Sequence, residues 1–375
     1  MLRSIGCAVA LLLPACGSVG GRGGGADAAA GVCYGPSGWQ VCLDAKASGQ
    51  VPLQGTLDTD QSDAGNPCLN SQPASWTATQ PDACIVVGDT IAVTSLRATG
   101  TRPLVLVAQT QITVMGRLDV ASHRSPASVG AGTGSLLDCT SFGRSPDSGP
   151  PGAGGAGGSF LFPGGAGGTG DGTNRPGGQP AGGTAAAPAR LRGGCAGQPG
   201  GGGAAADGGA GGGSVYLVSA GTIAISGIID ASGGGGGGED GLHGGGGGGS
   251  GGMIVLFASA ITTTEPTLLI ADGGGGGGGS ALSGAMMKGQ DGHEPMVAIP
   301  IQPALGGTGG LLVGATGGDG GRGYPALSNT SPGLSGVAGD TGAGGGGGGG
   351  GGGYIRSSQA LGTAVVSPAA DLVTR

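Results

Sequence analysis

Charge is scarce in this chain. Asp, Glu, Lys and Arg together make up 10% of 375 residues. Disordered low-complexity chains are normally charge-rich, so disorder throughout does not fit. Aromatics are scarcer still, at 3%, too few for stacking platforms that grip bases or sugars. The 15 basic residues do not cluster, and 22 acidic ones leave a net charge of −7. Such a chain has no footprint for a phosphate backbone, and no nucleic-acid partner is expected. No G-K-[ST] occurs, which excludes a P-loop. Cysteines stand at no CxxC-type spacing with nearby His, which argues against a zinc site. No strict G-X-Y period runs through the chain, so collagen is excluded as well.

What the chain has is glycine, 100 residues of it, and 37% hydrophobic residues gathered in runs. That aliphatic supply suits a narrow core. The first residues, "MLRSIGCAVALLLPACGS", place Arg3 before a short apolar stretch over 5–13 and then small residues. This is the pattern of an export signal, too short for an anchor helix. Its end, "LPAC", resembles a bacterial lipobox, which implies acylation at Cys16 and a membrane partner through that lipid. No Asp follows Cys16, which in well-known lipoproteins implies outer-membrane sorting. Residues 1–15 are read as the signal peptide and 16–32 as a flexible Gly/Ala tether.

Of eight cysteines, Cys7 leaves with the signal and Cys16 is assigned to the lipid. The even remainder, Cys33, Cys42, Cys68, Cys84, Cys139 and Cys195, suggests disulfides in an exported chain. Fifteen connectivities exist; sequence order suggests Cys33–Cys42, Cys68–Cys84 and Cys139–Cys195. Residues 33–83 are then a disulfide-stabilised N-terminal cap.

The rest, 84–375, hides a repeat under its glycine. "LVLVAQTQITVMGRLDVAS" from Leu104 aligns without a gap to "VYLVSAGTIAISGIIDAS" from Val215. Leu104 matches Val215, Ile112 matches Ile223, Gly116 matches Gly227 and Asp119 matches Asp230. "MIVLFASAITTTEPTLLIADGG" from Met253 sets Ile261 opposite Ile223, and a degenerate copy starts at Tyr354. Alternation at Ile223 and Ile225 marks a half-exposed strand. Val215 to Val218 are apolar on both faces and must be covered on both; the Gly-rich segments are the expected cover. Each copy reads as three short strands and two turns. Repeats of about 20 residues of this kind predict an all-β fold, a right-handed parallel β-solenoid resembling a β-helix, with Gly-rich inserts leaving one edge. The pure runs at 233–238, 244–249, 273–279 and 344–353 suggest polyglycine II, a threefold extended helix.

Chemistry-bearing patterns are few. Ser250 in "GGSGG" matches G-x-S-x-G without the strand-turn-helix context that motif needs. His123, His243 and His293 stand apart. Asp171, Asp240, Asp291 and Asp319 each precede glycine, as tight turns favour; calcium is the sharper reading, since solenoids of another period bind it between turns. Asp119 and Asp230 sit at equivalent repeat positions, and an acid pair on one face of a β-helix is what a polysaccharide lyase or hydrolase uses.

The lipobox, the cysteine-rich start and the repeated "IDASGGGGG" and "GGGGGGSGGMIVL" resemble a group of Gly-rich exported surface proteins of myxobacterial type, PE-PGRS-like in glycine content alone. The resemblance implies no catalytic or cofactor residues. The expectation is a non-enzymatic cell-surface lipoprotein, structural or adhesive, meeting polysaccharide or surface proteins. A polysaccharide-acting enzyme and an ice- or surface-binding protein are the alternatives.

Overall fold

The computed structural model describes residues 31–61, 63, 65–133, 139, 141–183, 186–202, 206–281, 287–325 and 333–373. The signal segment, Cys16 and the tether up to residue 30 lie outside the described residues.

A small antiparallel hairpin, β1 (Val32–Tyr34) and β2 (Val41–Leu43), is followed by β3 (Gln50–Asp58) and a single-turn helix, α1 (Ala74–Thr77). β4 (Cys84–Thr99), β5 (Leu104–Val114) and β6 (Arg117–Asp119) open the main sheet. A short hairpin of β7 (His123–Arg124) and β8 (Ala127–Ser128) projects after it. β9 (Ser214–Ile225), β10 (Ile228–Asp230), β11 (Met253–Thr263) and β12 (Leu268–Ile270) continue the sheet. A second small hairpin, β13 (Leu311–Leu312) and β14 (Ala315–Thr316), precedes β15 (Tyr354–Ser357), β16 (Val365–Ser367) and β17 (Asp371–Leu372).

The main sheet has 11 strands in the order β16-β12-β10-β6-β4-β5-β9-β11-β15-β17, with β3 also on β4, and its pairings are parallel. It curls into a half-barrel because β4 bends. The first part of β4 pairs β5, from Cys84↔Leu104 to Val93↔Val114, while Leu96 and Arg97 pair β6. Two walls, β5-β9-β11-β15 and β6-β10-β12-β16, therefore diverge from one strand. Glycine makes the corner between them: a Cβ on Gly116 would lie 1.7 Å from the Thr94 carbonyl oxygen, and one on Gly227 2.0 Å from that of Gly116.

The register reproduces the repeat. Ile91, Ile112, Ile223 and Ile261 form one column across β4, β5, β9 and β11, and Leu118, Ile229, Leu269 and Val366 form another across the second wall. These columns face each other in one aliphatic core, at roughly 1.5–3 kcal/mol per fully buried large side chain. One detail differs from the sequence reading. The first expected turn of each copy is only an irregularity inside a continuous strand, with a register shift at Ala258/Ala260. In β9 the Ser219 hydroxyl bridges it by accepting the Gly221 N–H at 3.1 Å.

The other face of the first wall is covered differently from expectation. Val105, Val107, Tyr216, Val218, Met253 and Val255 pack against Tyr34, Trp39, Val41 and Trp76 of the N-terminal segment, joined by Phe160 and Leu191. Large aromatics bury more apolar area per residue than glycine can, and most of the few in the chain are spent here. Trp76 stacks on Tyr216 (centroids 6.0 Å, 15°) and Trp39 meets it edge-on (5.8 Å, 74°).

The glycine runs pack together as extended segments bonded every third residue. In run 244–252, Gly245, Gly248 and Gly251 donate their N–H groups to Gly345, Gly348 and Gly351. Gly246 and Gly249 donate to Gly237 and Gly234, while Gly244, Gly247 and Ser250 donate to Gly201, Gln198 and Cys195. Its carbonyls accept from Gly155 and Gly158, from Gly209 and Gly212, and from Gly274 and Gly277. The run is thus ringed by other runs on all sides, and 273–279 and 344–353 are bonded in the same manner. No Cβ fits inside: on Gly245, Gly248 and Gly347 it would lie 2.0, 2.1 and 2.0 Å from a neighbouring carbonyl oxygen.

At the periphery the composition changes with the same period. Leu305, Thr308 and Leu311 on one outer run, and Thr316, Asp319 and Arg322 on the next, are exposed, and the glycines between them face neighbouring runs. On these outer stretches glycine stands where another backbone is in contact, and a side chain stands where solvent is.

Candidate functional site

The acid pair singled out by the repeat lies at the end of the second wall. β6 and β10 pair in parallel, so Asp119 and Asp230 are register neighbours. Each carboxylate caps its own turn: Asp119 Oδ1 accepts the Ala121 N–H and Asp230 Oδ1 the Ser232 N–H, both at 3.0 Å. Each is also held by arginine. Arg97 Nη1 donates to Asp119 Oδ1 and Arg117 Nη2 to Asp230 Oδ2, both at 2.6 Å. Arg117 also lies 3.5 Å from Asp119, and His123 Nε2 3.1 Å from it. Burial disfavours the Asp119 carboxylate, but the His123 hydrogen bond and the Arg117 and Arg97 guanidiniums outweigh it and hold its pKa below the ordinary value. The side chains of Asp119 and Asp230 are 12% and 3% exposed. Their lone pairs are engaged and little surface is left for a glycosidic oxygen to approach. Arg97 and Arg117 were not singled out from sequence; Arg97 pairs directly with Asp119 across β4 and β6.

One rung further, Asp272 is fully buried, with Ser367 donating to its Oδ1 at 2.6 Å and Oδ2 without a partner. Burial raises its pKa well above the ordinary carboxylate value, the Ser367 hydrogen bond opposes this, and Asp230 adds to it. A protonated Asp272 in the folded state and an ionised one in the unfolded state link folding to pH. The stabilising difference is full below the unfolded value near 3.8 and is lost as pH rises toward the folded one. Asp272→Asn is therefore expected to be more stable than the parent at pH 8 and to flatten the alkaline side of its stability profile. Denaturant melts from pH 4 to 9 measure it; equal slopes for both proteins would refute it.

The remaining motifs are structural ties. Ser250 is buried and exchanges hydrogen bonds with Cys195, accepting its N–H at 2.8 Å and donating to its carbonyl at 3.2 Å. Asp171, Asp291 and Asp319 each accept an N–H from a neighbouring run, from Gly342, Gly238 and Gly309. Among the described residues no group of three or more His, Cys, Asp or Glu could hold a metal ion. The disulfides join Cys33 to Cys42, Cys68 to Cys84 and Cys139 to Cys195.

Cavities lie at the rims. A groove of ≈ 840 Å³ runs between the β7–β8 hairpin and the glycine bundle, lined by His123, Arg124, Ser128, Asp207, Gly234 and Asp291 among others. Arg124 Nε lies 3.2 Å from Asp291 Oδ1, and the Arg124 N–H donates to Glu294 at 2.6 Å. Among the described residues no helix is long and apolar enough to cross a membrane. No protein-family model, curated protein or solved structure matches the chain.

Proposed function

We propose that the protein is a non-enzymatic, lipid-anchored surface protein whose β-solenoid body carries a rigid polyglycine II plate, with a structural or adhesive role. The observation that supports it most is the ring of backbone hydrogen bonds around runs 244–252, 273–279 and 344–353. Such a bundle is stiff and flat without a large hydrophobic core, which suits a spacer or a display surface. The parallel register across β5, β9, β11 and β15, matched on the second wall by β6, β10, β12 and β16, is what successive turns of a solenoid require. Three disulfides favour an oxidising compartment outside the cytoplasm. Acylation at Cys16 would tether the chain, leaving the outer runs for polysaccharide or other surface proteins.

The enzymatic alternative draws little support from an acid pair already engaged by Arg97, Arg117 and two turn amides. Surface binding has one observation in its favour. Exposed residues recur every third position on adjoining outer runs, Leu305, Thr308 and Leu311 on one and Thr316, Asp319 and Arg322 on the next, a spacing of about 9 Å along an extended threefold helix.

The test is a glycan panel assayed for retention and for chain cleavage, with metabolic palmitate labelling of the full chain and of Cys16→Ser. Retention without new reducing ends, and label lost in Cys16→Ser, is expected. Cleavage that disappears in Asp119→Asn/Asp230→Asn would replace this reading with the enzymatic one.

A further inference from the structure

The ≈ 840 Å³ groove breaks the rule that governs the rest of the bundle. Elsewhere in the bundled runs, nearly every glycine marks contact with another backbone, Gly352 meeting the Tyr324 and Phe162 rings instead. Run 233–238 bonds to Asp272 through Gly233, to Gly275 through Gly236, and to 206–213 through Gly234 and Gly237. A Cβ on Gly234, however, would meet nothing closer than 3.4 Å, the Ser122 carbonyl oxygen, and Gly234 lines the groove. Here a Cβ would find only ordinary contacts, with Ser122 and with Ala210 at 3.6 Å, so no clash inside the molecule demands a glycine. On Gly237 the obstruction is the end of the Arg124 side chain, at 2.4 Å, rather than backbone.

The groove lies beside runs 206–213 and 233–238 at the place where the packing pattern would seat one more run, and the β7–β8 hairpin forms its far wall. Its volume is that of an ordinary ligand site. Its polar groups point to a peptide. Arg124 Nε is buried 3.2 Å from Asp291 Oδ1, so this charge is turned toward Asp291. Asp207 is exposed at the rim, and Asp291 is half-exposed beside it. With Arg124 facing Asp291, the rim keeps an excess of negative charge.

We propose that this groove binds an extended, glycine-rich peptide segment of a partner protein, neutral or basic, seated as an additional threefold run. The side-chain-free floor at Gly234 and Gly235 lets backbone approach backbone, as glycine does at most contacts inside the bundle. A basic residue in the segment would meet Asp207. This deepens the adhesive reading above, but its probe is a peptide rather than a glycan, so each can fail alone.

The test is fluorescence anisotropy of a labelled oligoglycine peptide, carrying one lysine at each end, against the full chain. The same peptide with valine at every third position is the control. Saturable binding of the glycine peptide is expected, with the valine peptide at least about tenfold weaker. Gly234→Leu fills the floor, its Cβ no closer than 3.4 Å to neighbouring backbone, and is expected to abolish binding at unchanged thermal stability. Asp207→Lys, an exposed change that needs no repacking, is expected to weaken it several-fold and remains informative if the leucine variant misfolds. Equal affinity for both peptides, binding unaffected by both substitutions, or no saturable binding would overturn the proposal. So would binding of chito-oligosaccharide in place of the peptide.

Discussion

Gly347→Ala is expected to destabilise the protein by more than about 4 kcal/mol, at the exceptional end for one added methyl group. The Cβ would lie 2.0 Å from the Gly246 carbonyl oxygen, and the obstruction is backbone. A flexible side chain could swing aside; a bundled run cannot move without breaking its own bonds. Gly347 donates to Gly277, and its carbonyl accepts from Gly321. Separating the runs leaves buried amides unsatisfied at about 1–3 kcal/mol each, on top of the overpacking term of about 1–3 kcal/mol. Thr308→Ala, one row out, is expected to cost no more than about 0.5 kcal/mol, as for an ordinary surface change. Calorimetric or denaturant unfolding of the two variants distinguishes a packed bundle from loose loops. Equal stability for both would be the signature of loops.

The second large effect is expected from Trp76→Ala. Trp76 is fully buried, stacks on Tyr216 and donates its indole N–H to the Pro81 carbonyl at 2.7 Å. Its removal opens a cavity between the N-terminal segment and β9, at a cost of about 3–5 kcal/mol. The Tyr216 hydroxyl, already buried without a partner, makes that interface sensitive, since nothing on the sheet side compensates for lost packing. Equilibrium unfolding of the variant with its disulfides intact measures the loss. A change below about 1 kcal/mol, the range of ordinary surface substitutions, would mean that the N-terminal segment is not needed to cover the sheet.

Much of the sheet was legible because its signal is local and repeated. The alignment of Ile112 with Ile223 and of Asp119 with Asp230 carried directly into the register, since parallel stacking puts equivalent residues side by side. The cover of the outer face was misassigned because it comes from residues remote in sequence. Nothing near Val215–Val218 announces Trp39 or Trp76; only the placement of both tryptophans of the chain before residue 80 hints at it. The pure runs suggested polyglycine II, and the bonds among them agree with ordered packing; which run bonds to which was beyond sequence reading, although a trace of the threefold spacing stands in the sequence. Thr316, Asp319 and Arg322, or Ala153 and Ala156, interrupt glycine at three-residue spacing. A search for one global G-X-Y period passes over such short frames. The arginine partners of the acid pair were hidden because Arg97 reaches Asp119 only through the bend of β4. The open floor at Gly234 cannot be told from any other glycine until its surroundings are known.

Amide hydrogen exchange resolved along the glycine runs tests the ordered bundle most directly. Runs 244–252, 273–279 and 344–353 should exchange as slowly as the core strands. In the outer run 317–323, Gly317, Gly318, Gly320 and Gly321 should be protected while Asp319 and Arg322 exchange quickly, giving a three-residue rhythm. Uniform exchange at the rate of an unfolded chain across these runs would contradict the account.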